Sequence, residues 1–242
     1  MTSFYDETST GYTYMTWQQA FDNATGDKFT ALGKAAASPT SPIDRKKPLY
    51  LETPSKHVLE VLFDDGYLGL KGYPKINSSL YGSQFMTFIA SIQHPFSRGS
   101  SHINASNPTG LPAFNPNYLR YEYNLEAVAQ GAKYLRKIAQ TPPMSYAWIG
   151  EYEPGLDVVK TDADWREYAQ NDVPTIWHPL GTCALLPKKD GGVVSPELKV
   201  YGLSNLRVAD ASIIALNPSG HIQTAVYGIA ERAAEMIAAQ WA

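Results

Sequence analysis

Cysteine is almost missing from this chain, and its absence narrows the chemistry. Of 242 residues only Cys183 is a cysteine, which excludes an internal disulfide and a cysteine-based metal cage. No stretch approaches the roughly 18 consecutive apolar residues of a membrane-spanning helix. Residues 1–7 have neither a basic nor an apolar region, so no signal peptide is predicted.

Strong charge of either sign is also missing. The chain has 20 Lys and Arg residues and 23 Asp and Glu residues, which give it a net charge of −3. This balance gives no reason to expect nucleic acid or an anionic membrane surface as a partner. Hydrophobic content of 44% with 18% charged residues is typical of a globular domain.

The chain lacks a Gly-x-Gly-x-x-Gly dinucleotide-binding fingerprint. The nearest run of glycines, at 66–72, has the wrong spacing and no strand–helix context, so we interpret it as a turn. Asn-x-Ser/Thr triplets, the acceptor sequence for N-glycosylation, occur at Asn23, Asn77 and Asn104 and favour a secreted parent protein. Nothing else in the sequence indicates the localisation.

Several helices are indicated by apolar spacing and capping residues. The clearest covers 118–140, where apolar residues recur at spacings of three and four residues and so form one face of a helix. A shorter helix begins at Thr161, with Asp164 positioned to complete a capping box, and runs to about 170. Spaced apolar residues in 13–32 predict a helix starting near Thr16, and the last helix covers 223–239.

Strand patterns are concentrated in the middle of the chain. Residues 85–93 are aromatic and β-branched, and 99–104 is predicted to pair with them across a turn at 94–98. Residues 35–48 are predicted to form a linker or surface loop, and 200–208 to form two extended pieces around a turn at 202–205. The predicted fold class is α+β, an antiparallel sheet with helices packed on one face.

Four motifs follow one another in the last quarter of the chain. They are His-Pro-x-Gly-Thr at 178–182, Gly-Gly-Val-Val at 191–194, Leu-Arg-Val-x-Asp-Ala-Ser at 206–212 and Ser-Gly-His-Ile-Gln-Thr at 219–224. Their order and separations resemble the C-terminal part of the glucose–methanol–choline (GMC) flavoprotein oxidoreductases. The likeness extends upstream through 94–100 and 115–118 and thins before about residue 48.

The resemblance implies a three-part organisation. Residues 1–47 are expected to be a leading helix and linker, 48–175 a substrate-binding domain, and 176–242 a segment that completes the FAD-binding domain. The N-terminal FAD-binding portion, with its βαβ unit, is then a missing partner. The chain is accordingly expected to be the C-terminal portion of a longer protein: a truncation, a partial gene model or one piece of a split enzyme.

Site residues follow from the same resemblance. His178 is the expected base, because a neutral imidazole accepts a hydroxyl proton near neutral pH, and His221 is its positioning partner. We predict that the two rings lie within about 8 Å of each other and face one cavity. FAD is the implied cofactor. Its expected contacts are Asp210, Ala211, His221, Ile222, Gln223 and Thr224.

The start of the last helix also has a physical reason to face a flavin. Free amides and about half a positive charge lie at a helix N-terminus, where they stabilise the negative charge of a reduced flavin. The remaining histidines are interpreted as structural (His57, His94) or left unassigned (His102). Trp177 is expected either to stack near the substrate or to pack in the core.

The function that the resemblance implies is FAD-dependent oxidation of an alcohol, either a sugar or an aromatic alcohol. Within the family, the sequence is more similar to the glucose- and aryl-alcohol-oxidising members. The electron acceptor stays open. A non-catalytic fragment unable to bind FAD alone is the alternative. A serine hydrolase using Ser212 or Ser219 is disfavoured because no Gly-x-Ser-x-Gly elbow is present. No third ligand lies at metal-binding spacing from either histidine, so no metal site is predicted.

Overall fold

The first sheet of the protein is antiparallel and has three strands. The computed structural model describes residues 11–21, 23–53 and 58–241. Strands β1 (Gly11–Met15), β2 (Leu59–Asp64) and β3 (Thr87–Ile92) lie in the order β1-β2-β3. The first four residues of β2 are buried, as expected for a central strand.

A second, two-stranded sheet corrects one pairing prediction. Strand β4 (Ser100–His102) pairs with β5 (Ala113–Asn115), not with β3. The antiparallel partner of β3 is β2. The loop containing 107–112 connects the two strands of this hairpin. The alternation of residues within a strand does not show whether its pairing partner is the next strand in the sequence or one about 25 residues away.

Six α-helices accompany the sheets in the described residues. Their bounds are α1 (Trp17–Ala20), α2 (Asn23–Ala36), α3 (Lys47–Glu52), α4 (Glu122–Ala139), α5 (Asp162–Asn171) and α6 (Gln223–Trp241). Three short 3-10 turns lie at Met144–Tyr146, Lys188–Asp190 and Ala211–Ile213.

Two of the helices begin at capping boxes. Thr16 and Gln19 form a capping box at α1, and Thr161 and Asp164 form the predicted one at α5. The helix predicted to start near Thr16 does begin there as α1, but it does not continue as one helix, because the extended backbone of Phe21 ends α1 and α2 begins at Asn23. The helix predicted over 118–140 is confirmed as α4.

An aromatic cluster forms the main core between the sheet and helices α1, α2 and α4. The Trp17 ring stacks on Phe29 with centroids 4.3 Å apart, and its indole N–H donates to the Tyr123 hydroxyl at 3.3 Å. A second cluster joins α4 to α5 around Trp165. A third, smaller one joins α6 to the segments before it through Ile229, Ala233 and Met236.

The stretch predicted as a linker or surface loop at 35–48 is partly buried. Asp44 and Lys47 both lie in the interior, 3.4 Å apart, and Arg98 contacts the same carboxylate at 3.1 Å. Burial, with the neighbouring Arg98, lowers the pKa of Lys47 to about 8. The segment is therefore anchored to the region around Arg98.

The C-terminal quarter contains little regular structure before α6. Among the described residues it has two short 3-10 turns and isolated bridges: Leu185 with Val194, Val194 with Val200, and Lys199 with Arg207. The two extended pieces predicted within 200–208 are thus single bridges, at Val200 and Arg207. None of the helices that the structure describes is long and apolar enough to cross a membrane.

The architecture is a mixture of helices and small antiparallel sheets, which confirms the coarser form of the predicted α+β class. Strand β1 and helices α1 and α2 share the core of the following region. The division at residues 47 and 175, and completion of a flavin-binding domain by 176–242, remain predictions.

Candidate active site

The two histidines of the C-terminal motifs lie together. The ring centroids of His178 and His221 are 4.5 Å apart, with the planes at 89°. The prediction that they lie within about 8 Å is confirmed. His178 belongs to an extended stretch after α5, and His221 immediately precedes α6, so a tertiary contact joins them.

A third residue, Glu60 on the central strand of the sheet, contacts the ring of His221. Its side chain is 0% exposed, and its Oε1 lies 2.6 Å from Nδ1 of His221. Its Oε2 accepts a hydrogen bond of 2.6 Å from the Gln93 amide. Because a carboxylate accepts and does not donate, we assign the Nδ1 hydrogen of His221 to this contact.

Sequence reasoning missed Glu60, although a signal was present. It is the single charged residue in the otherwise apolar run 58–63. Carboxylates are rarely buried in such a strand unless they have a partner. A charged residue in the middle of a buried strand therefore indicates a site, but the run alone does not say which residue pairs with it.

The neighbouring strand supports the same histidine. Tyr14 on β1 is paired in register with Glu60, and its hydroxyl lies 3.4 Å from the backbone N–H of His221. Two adjacent strands thus contact His221, one through its ring and one through its backbone.

Burial determines the protonation of His178. The pKa of His178 is lowered by burial and by the nearby His221, and Glu60 opposes that shift. A lowered pKa keeps the imidazole neutral, and a neutral imidazole is a proton acceptor. His178 therefore has the protonation state that a general base needs at neutral pH.

A cavity of about 1710 Å³ opens beside the pair. His178, Trp177 and Asn217 are among the residues that line it. His221 is not among its lining residues, so the prediction that both rings face one cavity holds for His178 only. The His221 side chain is 33% exposed and contacts the His178 ring edge-on.

Trp177 belongs to that wall and not to the core. Its side chain is 82% exposed and its φ is 57°. A bulky residue in the left-handed region costs on the order of 1–3 kcal/mol, and such residues occur most often at functional sites. The alternative that Trp177 packs in the core is wrong.

Two of the predicted cofactor-binding residues, Asp210 and Ala211, occupy a short turn. The Asp210 carboxylate accepts from the Ser212 N–H at 2.8 Å and caps the turn Ala211–Ile213. The Ser212 carbonyl in turn accepts from Cys183 N–H at 2.9 Å. This contact brings the motif at 206–212 beside the His-Pro-x-Gly-Thr motif, while Asp210 itself remains exposed.

The other predicted cofactor-binding residues surround the start of α6. Ile222 is buried, whereas Gln223 and Thr224 are exposed. The first turn of α6 contains no acidic residue, so no carboxylate of that turn competes for its free amides. These features fit an anionic edge of a cofactor such as FAD. The described residues contain no group of three or more side chains arranged to hold a metal ion.

The remaining histidines differ in their surroundings. His94 is buried, and its Nε2 lies 2.8 Å from the Ser219 hydroxyl. His102 is exposed on β4 and is not among the residues that line the cavity. His57 lies outside the described residues.

The site thus combines a histidine pair, a buried carboxylate on one of the two rings, a cavity beside the other and a helix start without acidic residues. Comparison with known proteins gives the family. A family model described as GMC oxidoreductase matches residues 95–230. The chain belongs to the GMC oxidoreductase family.

Individual relatives agree with this assignment. The chain is 41% identical over 162 residues to the GMC oxidoreductase family protein Mala s 12 of Malassezia sympodialis, covering 67% of this chain and 26% of that protein. It is 36% identical over 152 residues to a glucose oxidase of Aspergillus carbonarius, covering 61% of this chain and 25% of that protein. The chain thus spans about a quarter of the length of the curated relatives it matches.

Solved structures match nearly the whole chain. An FAD-dependent oxidoreductase from Chaetomium thermophilum aligns with a TM-score of 0.73 at 26% identity, covering 95% of this chain and 38% of that one. A fungal aryl-alcohol oxidase aligns with a TM-score of 0.71 at 25% identity, with the same coverages of 95% and 38%. Family members of known structure are FAD-dependent oxidoreductases.

Proposed function

We propose that this chain is the C-terminal part of an FAD-dependent oxidoreductase that oxidises a sugar or aromatic alcohol. The observation that carries the proposal is the contact between His178 and His221, with Glu60 behind them and the cavity in front of His178. Relatives named glucose oxidase and aryl-alcohol oxidase support the choice of alcohol class.

Each histidine has its own role in the proposed reaction. His178 lines the cavity and takes the hydroxyl proton of the alcohol, because its lowered pKa favours the neutral ring. His221 orients the hydroxyl by a hydrogen bond, with its own ring held by Glu60. Bound FAD supplies the hydride acceptor, at N5.

The start of α6 is proposed to hold the cofactor edge. The free amides of Gln223 and Thr224, with Ile222 packed beneath them, are suited to bind a negatively charged edge. His221 lies directly before them. Asp210 and Ala211 are proposed to contact the ribityl–pyrophosphate region, with the second Asp210 oxygen available because Oδ1 is used in the cap.

The same proposal assigns the domains. Residues 48–175 provide the substrate wall, 1–47 lead into it, and 176–242 complete a flavin-binding domain whose phosphate-binding βαβ unit lies outside this sequence. Under this proposal the chain alone binds FAD weakly or not at all, since that unit holds the pyrophosphate.

The experiment is a chimera. The C-terminal portion of the Malassezia relative is replaced by this chain, and the purified product is tested for flavin absorbance and for oxidation of glucose, benzyl alcohol and choline. We expect retained flavin and turnover of the sugar or the aromatic alcohol. A chimera carrying His178→Ala is the matched control and should keep its flavin but turn over the alcohol more slowly, by about 10²-fold or more.

The alternative function, a non-catalytic fragment, has a distinct outcome. It predicts that the chimera folds and retains flavin but oxidises none of the alcohols. Preferred turnover of choline would overturn the substrate class while leaving the reaction type in place. Stoichiometric flavin on the unfused chain after gel filtration would contradict the need for a partner portion.

A further inference from the structure

Alternate residues of the segment 217–221 each bind the same end of the three-stranded sheet. The Asn217 amide donates to a backbone carbonyl at 2.5 Å, the Ser219 hydroxyl contacts an imidazole at 2.8 Å, and the His221 ring contacts a carboxylate at 2.6 Å. Their partners lie in β2 or just after β3. They are Gln93, His94 and Glu60 respectively.

The middle contact is made by a side chain that has little freedom. His94 is 1% exposed, and its ring stacks on Tyr50 with centroids 4.7 Å apart and planes at 10°. Its Nε2 is the atom that reaches Ser219. A buried ring held face-on by an aromatic neighbour offers Ser219 one fixed hydrogen-bonding position.

The backbone around His94 is held from two other sides. The Pro95 carbonyl accepts a hydrogen bond from the buried ammonium of Lys47. The N–H groups of Phe96 and Ser97 both donate to the side-chain oxygen of Asn124 in α4, at 3.2 and 3.1 Å. The segment 93–97 is therefore a rigid support for whatever binds it.

The segment that it supports contains a glycine. Gly220 separates Ser219 from His221, and a glycine leaves the backbone free to change direction. The contact with Glu60 fixes one ring nitrogen of His221 but leaves rotation about that hydrogen bond. The Tyr14 hydroxyl holds the backbone N–H of His221, and the Ser219 contact, two residues earlier in the chain, further limits where the backbone of His221 begins.

We propose that His94 is a positioning residue that acts through Ser219 to hold the His221 ring against His178. This deepens the proposed function, on which its catalytic meaning rests, but the geometry can be tested without flavin. The contact between the two rings and the His178 titration report the positioning directly.

The test is Ser219→Ala in the full 242-residue chain, followed by NMR of the histidine ring protons across a pH series. We expect the His178–His221 ring contact to weaken and the His178 pKa to rise toward its ordinary value of about 6.5. The rise follows because the repulsion from His221, one cause of the lowered pKa, decreases with distance. Ser195→Ala is the matched control, since Ser195 also uses its hydroxyl locally, on Glu197, and should leave His178 unchanged.

Two further variants separate positioning from general stability. Ser219→Thr keeps the hydroxyl and should restore the ring contact and the low His178 pKa. His94→Phe preserves an aromatic stack on Tyr50 but removes Nε2, so it should reproduce the effect of Ser219→Ala. The double variant that carries both changes should have the same ring contact and the same His178 pKa as either single variant. An unchanged ring contact and His178 titration in folded Ser219→Ala would overturn the proposal, whatever the chimera does with alcohols.

Discussion

The part of the protein before residue 176 and the part after it are built differently. The first contains the three-stranded sheet and the large buried aromatic residues. It has two cores, one between the sheet and its helices and one between α4 and α5. The second has isolated bridges, one long helix and a small core. Yet the second part carries His178 and His221, and the first part carries Glu60, which supports His221.

The comparison teaches how a loop region can hold a precise site. Its segments have few contacts of their own to fix a ring, so precision comes from side chains of the sheet. Glu60 is buried in the central strand and cannot move without disturbing both neighbouring strands. The region with regular structure provides rigidity, and the irregular region provides the reactive groups.

The largest expected effect tests whether stability resides in the first part. Trp17→Ala removes a fully buried ring that stacks on Phe29, and should cost about 3–5 kcal/mol of unfolding free energy. The half-buried Ile229 of α6 should cost about 1–2 kcal/mol when changed to alanine. Urea unfolding of both variants makes the measurement. Equal losses would show that the two parts do not differ as we describe.

The second effect concerns the division of roles between the two histidines. In the flavin-loaded chimera, His178→Ala should slow flavin reduction by about 10²-fold or more, the usual scale for loss of a general base. His221→Asn should cost less, since asparagine still hydrogen-bonds a hydroxyl. Anaerobic stopped-flow reduction compares them. A slower His221→Asn variant would reverse the roles and make His221 the base.

The third effect breaks the link between the two parts at its centre. Glu60→Leu leaves the His221 and Gln93 donors without their buried acceptor, which should cost about 1–3 kcal/mol of unfolding free energy. Glu60→Gln, which keeps an acceptor oxygen, is the matched control and should lose less. Thermal or urea unfolding of the chain reports both. If the leucine variant were as stable as the native chain, Glu60 would not support the site.

The smallest effect is a pH dependence of stability from His178. Because its folded pKa lies below the ordinary value, the unfolded chain binds more protons as the pH falls below about 6.5. Stability from this residue is therefore present above that pH and decreases as the pH falls through the folded pKa. The His178→Asn variant should lose this part of the slope. An identical pH profile in both proteins would contradict the lowered pKa.

Features that depend on neighbours in sequence were predictable. The capping box of Thr161 and Asp164, the apolar stripe of α4 and the start of α1 at Thr16 are local hydrogen-bond or periodicity effects, and all three occur in the structure. The four C-terminal motifs likewise sufficed for the family, because their order and spacing are properties of the sequence alone.

Tertiary contacts decided the rest. The partner of β4, the burial of Asp44 and Lys47, and the pairing of Glu60 with His221 join residues that no local pattern relates. Trp177 was ambiguous for the same reason, since only the position of the cavity determines whether an indole faces it or the core. The sequence by itself determined which residues carry the proposed chemistry, and only the fold decided which buried side chains of the sheet hold them, because that depends on contacts between distant segments.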